Sequence, residues 1–428
     1  MSVGSNKKEI LIKGAGVFLI RILGYGLGFM FIWVVANKFG PKIQGIFSIS
    51  FLFLSIGTMV AKLGVETALV KWVASISSLR LKKKVYLKSL QVVLISSLIV
   101  CAGIYLLAPL ISKMYSKPDI ESSIKIAALA IPFLSIIDVT GSYFKGQKKI
   151  IIFGLYFHFA KFLAPLLTIL TFYILSTQLL EAPILSYLLG LSLVAIVIVT
   201  HVLFVLRKFG NQSTDLYKTA YIISESYPMM ISSAIVMIMG WSDIFILGFY
   251  ESEEMIGIYS TAIKIATAVS FVYNAVATIA TPKIAAFYKD KNHKQLSETI
   301  SFSSKIIFLF SFPIFLILFC FPTSFLGFFG DEYVLGENVL RILLIAQFTN
   351  IVTGPVGPIF QMTGNQKKLQ HYITISLAIN ILFSVALVNF LGVVGVAIGS
   401  ALGMMVWNIM GSKYIKKKLK LKTYYNFK

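Results

Sequence analysis

The chain has 428 residues, 57% of them hydrophobic and 13% charged, an apolar excess that a water-surrounded globular domain has no core large enough to bury. Its formal net charge of +22 would suit a nucleic-acid partner if the 39 Lys and Arg formed one basic domain, but they stand between apolar runs, so the charge is read as membrane topology and no nucleic-acid partner is expected. Cys101 and Cys320 both fall inside apolar runs, offer no loop pair for a disulfide and are expected to be small buried residues.

A helical crossing takes about 20 consecutive apolar residues, and such runs follow one another along the chain. Lys7 and Lys8 before the first run imitate a signal peptide, yet the run continues from Gly14 to Ala36 without a small-residue cleavage pattern and is taken as a span. Spans are predicted over 14–36, 43–64, 89–112, 123–144, 150–176, 183–206, 220–249, 256–281, 301–328, 338–361, 372–391 and 393–412. Lys71 to Arg80 reads as an amphipathic continuation of the second. The predicted class is an all-α integral membrane protein with about twelve transmembrane helices.

Basic residues alternate between the loops. One set carries Lys7, Lys8 and Lys13, then Arg80 to Lys88, Lys145 to Lys149, Arg207 to Lys218, Lys283 to Lys294, Lys367 with Lys368, and the tail from Lys413 to Lys428. The other holds Lys38, Lys42, Lys113, Lys117 and Lys125 and collects acids such as Glu251, Glu253, Glu254, Asp331, Glu332 and Glu337. The positive-inside rule puts the first set and both termini in the cytoplasm, in a multi-pass protein of the plasma or inner membrane, and gives the basic tail anionic lipids to attract.

Two matches recur about half a chain apart. Ile43-Gln44-Gly45-Ile46-Phe47-Ser48, opening span two, resembles Ile256-Gly257-Ile258-Tyr259-Ser260, opening span eight. Gly146-Gln147-Lys148-Lys149 resembles Gly364-Asn365-Gln366-Lys367-Lys368. Halves of six spans, 1–210 and 211–428 with the basic tail, would insert in the same orientation, related by an axis along the membrane normal, with a substrate between them.

Asp243-Ile244-Phe245-Ile246-Leu247-Gly248 followed by Ile256 to Ala262, the opening Lys13-Gly14-Ala15-Gly16, Lys38-Phe39-Gly40-Pro41 through Gln44-Gly45, and Gly392 to Gly399 together resemble the polysaccharide and O-antigen flippases of the multidrug/oligosaccharidyl-lipid/polysaccharide exporter superfamily. The resemblance covers nearly the whole chain. It implies two pseudo-twofold-related six-helix lobes in a V around a central cavity. Through it a lipid-phosphate or lipid-pyrophosphate sugar would pass from the inner to the outer leaflet, for cell-surface polysaccharide biosynthesis. The implied partners are the lipid-linked oligosaccharide, membrane lipids, and a polysaccharide polymerase and glycosyltransferases, around a monomeric protein. Related multidrug antiporters share the architecture, so a cation-coupled antiporter stays open as an alternative. From a different class, a polytopic glycosyltransferase or polymerase also stays open, although no long outer loop with paired acids is visible.

Charge inside a bilayer is costly, so an intramembrane cation is a candidate for a cavity that takes anionic phosphate. Arg21 in span one, Lys161 in span five and Lys264 in span eight are the candidates, with Lys62 near the end of span two. Lys161, about 16 Å into its span, is the leading site. Arg21 would grip phosphate bidentately, and snorkelling to an interface is the alternative for Arg21 and Lys264. His158, three residues before Lys161, is expected on the same helix face as a sugar ligand, or else as a packed residue. Pro165, four residues after Lys161, takes away the donor for the Lys161 carbonyl and predicts a kink there. Asp243, Gly45 and Gly257 are expected to have gating or structural roles, and Asp138, Glu225 and Asp243 to be paired. Arg341, Lys71 and Lys305 are expected to be snorkelling anchors. No P-loop, zinc spacing or nucleophile elbow appears, so no cofactor, metal or catalytic residue is expected and the chain is read as a transporter without enzymatic chemistry.

Overall fold

The structure, a computed structural model, describes residues 3–175, 179–207, 219–421 and 423. Lys208, Lys218, Lys422 and Lys428 of the basic segments, and the side chains of Lys7, Lys8 and Lys13, lie outside what is described. Every regular element among the described residues is helical.

Among the described residues, ten helices are long and apolar enough to cross a membrane, or eleven if a pair bent by 47°, Glu253–Ala268 and Ser270–Lys289, makes one crossing. The first of them contains two of the predicted spans. Helix α1 (Val3–Lys62) is broken at Gly40, whose φ of 83° and ψ of 172° suit glycine, and Pro41 starts the second arm with its fixed φ. With that break counted, the helices account for the twelve predicted spans.

The second arm ends at Leu63 and Gly64, both at positive φ. The backbone of Gly64 lies against Ser226 and Met230 of α8 (Thr219–Tyr250) and leaves no room for a Cβ. That turn corrects the expected continuation of span two across Lys71 to Arg80. A separate helix α2 (Val65–Ser75) buries Val65, Ala68, Leu69, Trp72 and Val73, the spacing of one helical face, and leaves Lys71 exposed. Arg80 belongs to α3 (Leu79–Tyr115), which begins after its cap at Ser78, ten residues before the predicted start of span three.

The chain divides into two compact units, Met1–Met237 and Ile238–Lys428, the division falling inside α8. In the first unit α4 (Ile120–Gly146) is the central helix, packed against α1, α2, α3 and α7 (Ala182–Leu206). The fifth span is α5 (Ile150–Gly154), one π-helical turn over Leu155–Ala160, and α6 (Lys161–Ile174). A seam of close residues joins it to α1. Gly154 meets Ile20, Gly24 meets the His158 backbone and Gly28 meets the Phe162 ring, each pair one turn beyond the last.

The second unit comprises the end of α8, α9 (Glu253–Ala268), α10 (Ser270–Lys289), α11 (His293–Cys320), α12 (Pro322–Gly327), α13 (Glu337–Thr353), α14 (Val356–Met362), α15 (Gln366–Leu391) and α16 (Val393–Tyr414). Helices α15 and α16 approach through Gly395, Gly399 and Gly403, where a Cβ would strike Leu387, Ser384 and the Ser376 carbonyl respectively. A small residue every fourth position is how helices come close without a hydrophobic drive between them. Both cysteines are free, but the expectation of burial fails: Cys101 is half-buried and Cys320, at the end of α11, is exposed.

Candidate functional site

Three helices of the first unit bring a carboxylate and two ammonium groups together. Asp138 on α4 is 6% exposed. Its Oδ2 lies 2.8 Å from Nζ of Lys62, the last residue of α1, and its Oδ1 lies 3.1 Å from Nζ of Lys161, the first residue of α6. Glu66, in the first turn of α2, places Oε1 3.6 Å from the same Lys62 Nζ. The side chains of Lys62, Lys161 and Glu66 keep 14%, 18% and 22% of their exposure, so the group is neither sealed nor open. A carboxylate this deep persists because its charge is met by two hydrogen-bonding cations.

Beside this group runs a file of rings. Asp138, Gly141 and Lys145 share one face of α4. Lacking a side chain, Gly141 lets the Phe153 and Phe157 rings come against the helix. These rings stack with centroids 4.9 Å apart. Lys145 Nζ stands 5.6 Å from the centroid of Phe153 and Lys161 Nζ 4.5 Å from that of Phe157, both within cation–π range. His158 meets both rings edge-on at 5.5 and 5.0 Å.

The π turn explains why the Phe157 ring stands beneath Lys161. With hydrogen bonds from i to i+5 the winding is wider, so the residue four before Lys161 comes beneath it and the residue three before is turned aside. Phe157 takes that place, and His158 points into the rings with its carbonyl against Gly24. Ile150–Ile174 makes one span, and its π turn lies directly before Lys161. Pro165 is buried where Gly190 of α7 comes close.

Arg21 lies on α1 between Ile20 and Gly24, which meet Gly154 and the His158 backbone. Its Nη2 donates to Tyr25 Oη at 3.1 Å, the guanidinium carbon is 5.5 Å from the Tyr25 ring centroid, and its Nε is buried without a hydrogen-bond partner. Gly45 is buried in regular helix of the second arm, while the backbone break of that region falls at Gly40.

The remaining candidates belong to the second unit. Lys264 on α9 is exposed, and its ammonium has no hydrogen-bond or ion-pair partner among the described residues. Gly257 is buried in the same helix. Asp243 on α8 is 7% exposed and paired, but with neutral groups in place of a cation. Tyr259 Oη donates to its Oδ2 at 2.7 Å, Asn380 Nδ2 to its Oδ1 at 3.2 Å, and Ser400 Oγ lies 2.6 and 2.5 Å from the two oxygens. Ser242 Oγ in turn donates to Asn380 Oδ1 at 3.2 Å. Arg341 is held by Glu337, one turn earlier, at 2.7 Å.

Sequence reasoning missed Asp138 as the shared acceptor of Lys62 and Lys161, since the partners lie 76 and 23 residues away and no local pattern links them. It missed Phe153 and Phe157 for want of any signal of the π turn. Tyr259, Asn380 and Ser400 were legible only as polar residues in apolar runs.

Comparison with known proteins agrees with the fold. The family model described as "Polysaccharide biosynthesis protein" matches residues 11–287, well over half of the chain, and the one described as "MatE" matches residues 228–386. The probable low-salt glycan biosynthesis flippase Agl15 of Haloferax volcanii is 26% identical over 188 residues, which are 44% of this chain and 40% of that protein. The match thus spans well under half the length of this curated relative. Among solved structures, lipid II flippase MurJ in an inward closed conformation superposes with a TM-score of 0.77 at 17% identity, covering 95% of this chain and 87% of its own. The inward-facing conformation of a multidrug resistance MATE family transporter of the MOP superfamily gives 0.71 at 18% identity, covering 94% and 98%.

Proposed function

We propose, from the premise that the chain belongs to the polysaccharide biosynthesis protein family, that it flips a lipid-linked oligosaccharide, a polyprenyl phosphate or pyrophosphate sugar, from the inner to the outer leaflet by alternating access. The protein makes and breaks no bond in this reading. It supplies a cell-surface polysaccharide pathway from the plasma or inner membrane, with both termini in the cytoplasm and halves of six spans each.

The observation that carries the reading is the gathering of Lys62 and Lys161 on one carboxylate inside spanning helices, with Arg21 on the same α1 and its Nε unpaired. A headgroup phosphate that leaves water needs replacement donors, and cations held at membrane depth supply them. Arg21 is the bidentate donor and the lysines are point charges, with Lys264 a further cation of the second unit. His158 and the Phe153 and Phe157 rings offer a sugar apolar faces and a polar edge. The relative named a glycan biosynthesis flippase supports the same substrate class. The test replaces Lys161 or Arg21 with Ala and follows a labelled lipid-linked sugar in proteoliposomes; flipping at the wild-type rate, at equal protein levels, ends the assignment.

A second reading, a cation-coupled multidrug antiporter, draws on Asp243, a buried carboxylate whose described partners are all neutral. Such a group can take up a proton or a cation. Drug efflux that depends on an imposed ion gradient and is lost in Asp243→Asn, with no flipping of lipid-linked sugar, would favour it.

A further inference from the structure

Lys62 and Lys161 are spoken for. Among the described residues their ammonium groups have carboxylate partners in Asp138 and Glu66, so a phosphate arriving at these lysines meets cations already neutralised. A phosphate oxygen and a carboxylate oxygen ask for the same donors at the same distances, and two anions crowded around two ammonium groups repel each other. Of the two acids, Asp138 is the one in competition. Both of its oxygens are engaged, one by each lysine, while Glu66 stands farther off on Lys62 alone.

We propose that Asp138 is the resident anion of this site: it holds Lys62 and Lys161 when no substrate is present, yields at least one of them to the incoming phosphate, and reclaims it to drive release. The proposal rests on the reading that these lysines bind phosphate. Asp138 acts through the lysines and is a positioning and specificity residue. A neutral lipid headgroup has nothing to exchange for the carboxylate and would leave the ammonium groups and Asp138 apart without compensation, so the pair itself discriminates in favour of anionic headgroups.

The experiment uses the purified full chain in detergent with farnesyl phosphate as probe and farnesol as neutral control. Asp138→Asn keeps the side chain's volume and removes its charge. Without probe it should unfold at a lower temperature than the wild type. Farnesyl phosphate should then raise its midpoint by more than it raises the wild type's, with binding about tenfold tighter because the competing anion is gone. Farnesol should move neither protein. A lower midpoint in Asp138→Asn, with a probe shift and affinity no greater than wild type, would make Asp138 a structural brace and overturn the exchange.

Lys161→Met separates the two levels. Wild-type binding of the probe in Lys161→Met removes the phosphate reading and the exchange together. Lost binding in Lys161→Met, beside Asp138→Asn that binds no tighter, removes the exchange alone. Where Asp138→Asn does not fold, the double variant Asp138→Asn with Lys62→Met has one cation and one anion fewer and is compared with Lys62→Met alone. The double variant should bind more tightly, and equal affinity overturns the proposal.

Discussion

Gly24 of α1 packs directly against the backbone carbonyl of His158, so that the first span and the π turn of the fifth touch with no side chain between them. A methyl group has no place there. Two residues on, Gly26 faces open space. Gly24→Ala should therefore cost about 1–3 kcal/mol, and Gly26→Ala almost nothing, a contrast between near neighbours that differential thermal unfolding in detergent can read. Equal midpoints for the two variants would mean that the seam opens freely.

The Asp138 group predicts strong non-additivity. Asp138→Ala leaves two partly buried ammonium groups without their acceptor and should destabilise by about 3 kcal/mol or more. Adding Lys62→Met removes one of the stranded charges, so the double variant should be more stable than Asp138→Ala alone. A double-mutant cycle with zero coupling would show that the ion pair contributes nothing.

The π turn makes a different kind of forecast. A π turn is an α-helix carrying one extra residue, so removing one residue from 155–160 lets the segment relax to α while α5 and α6 keep their faces. Deleting Leu167 from the regular helix α6 instead turns every later side chain about 100° around the axis. Deletion of Phe159 should give folded protein in the membrane and deletion of Leu167 should not, as judged by monodispersity on size-exclusion chromatography.

Around Asp243 the forecast turns on counting donors. Tyr259→Phe removes one hydrogen bond to a charged group, worth about 1.5–3 kcal/mol. Asp243→Asn is harsher. Its amide has one acceptor oxygen where the carboxylate has two, and the bonds that Tyr259, Asn380 and Ser400 direct at the group all lose their charge assistance. Thermal unfolding should rank Asp243→Asn below Tyr259→Phe, and the reverse order would remove the network as described.

The crossings were legible because each is a run of apolar residues long enough for the bilayer, and even the Gly40-Pro41 join was readable inside the gap between the spans ending at 36 and beginning at 43. Boundaries failed where polar residues remain helical, as at Leu81 to Lys88, which the apolar count left between spans. Lys62 and Lys161 were visible as charges in the wrong solvent. What they bind was not, since Asp138 is brought to them by the packing of α4 against α1 and by the approach of α6, not by any spacing in the chain. The π turn left no trace either: Leu155-Tyr156-Phe157-His158-Phe159-Ala160 carries no glycine, proline or charge to mark a change of winding.

Gly40 gives the first span pair a mechanical property of its own. The arm from Pro41 to Lys62 is a rod about 33 Å long at an α-helix's rise per residue, pinned at one end by a single glycine. A swing of about 10° at that pivot would carry the far end about 6 Å, more than the reach of the Lys62 ion pair. The joint and the lysine stand at opposite ends of one lever, so the grip of Lys62 on Asp138 reports the angle of the second crossing against the first.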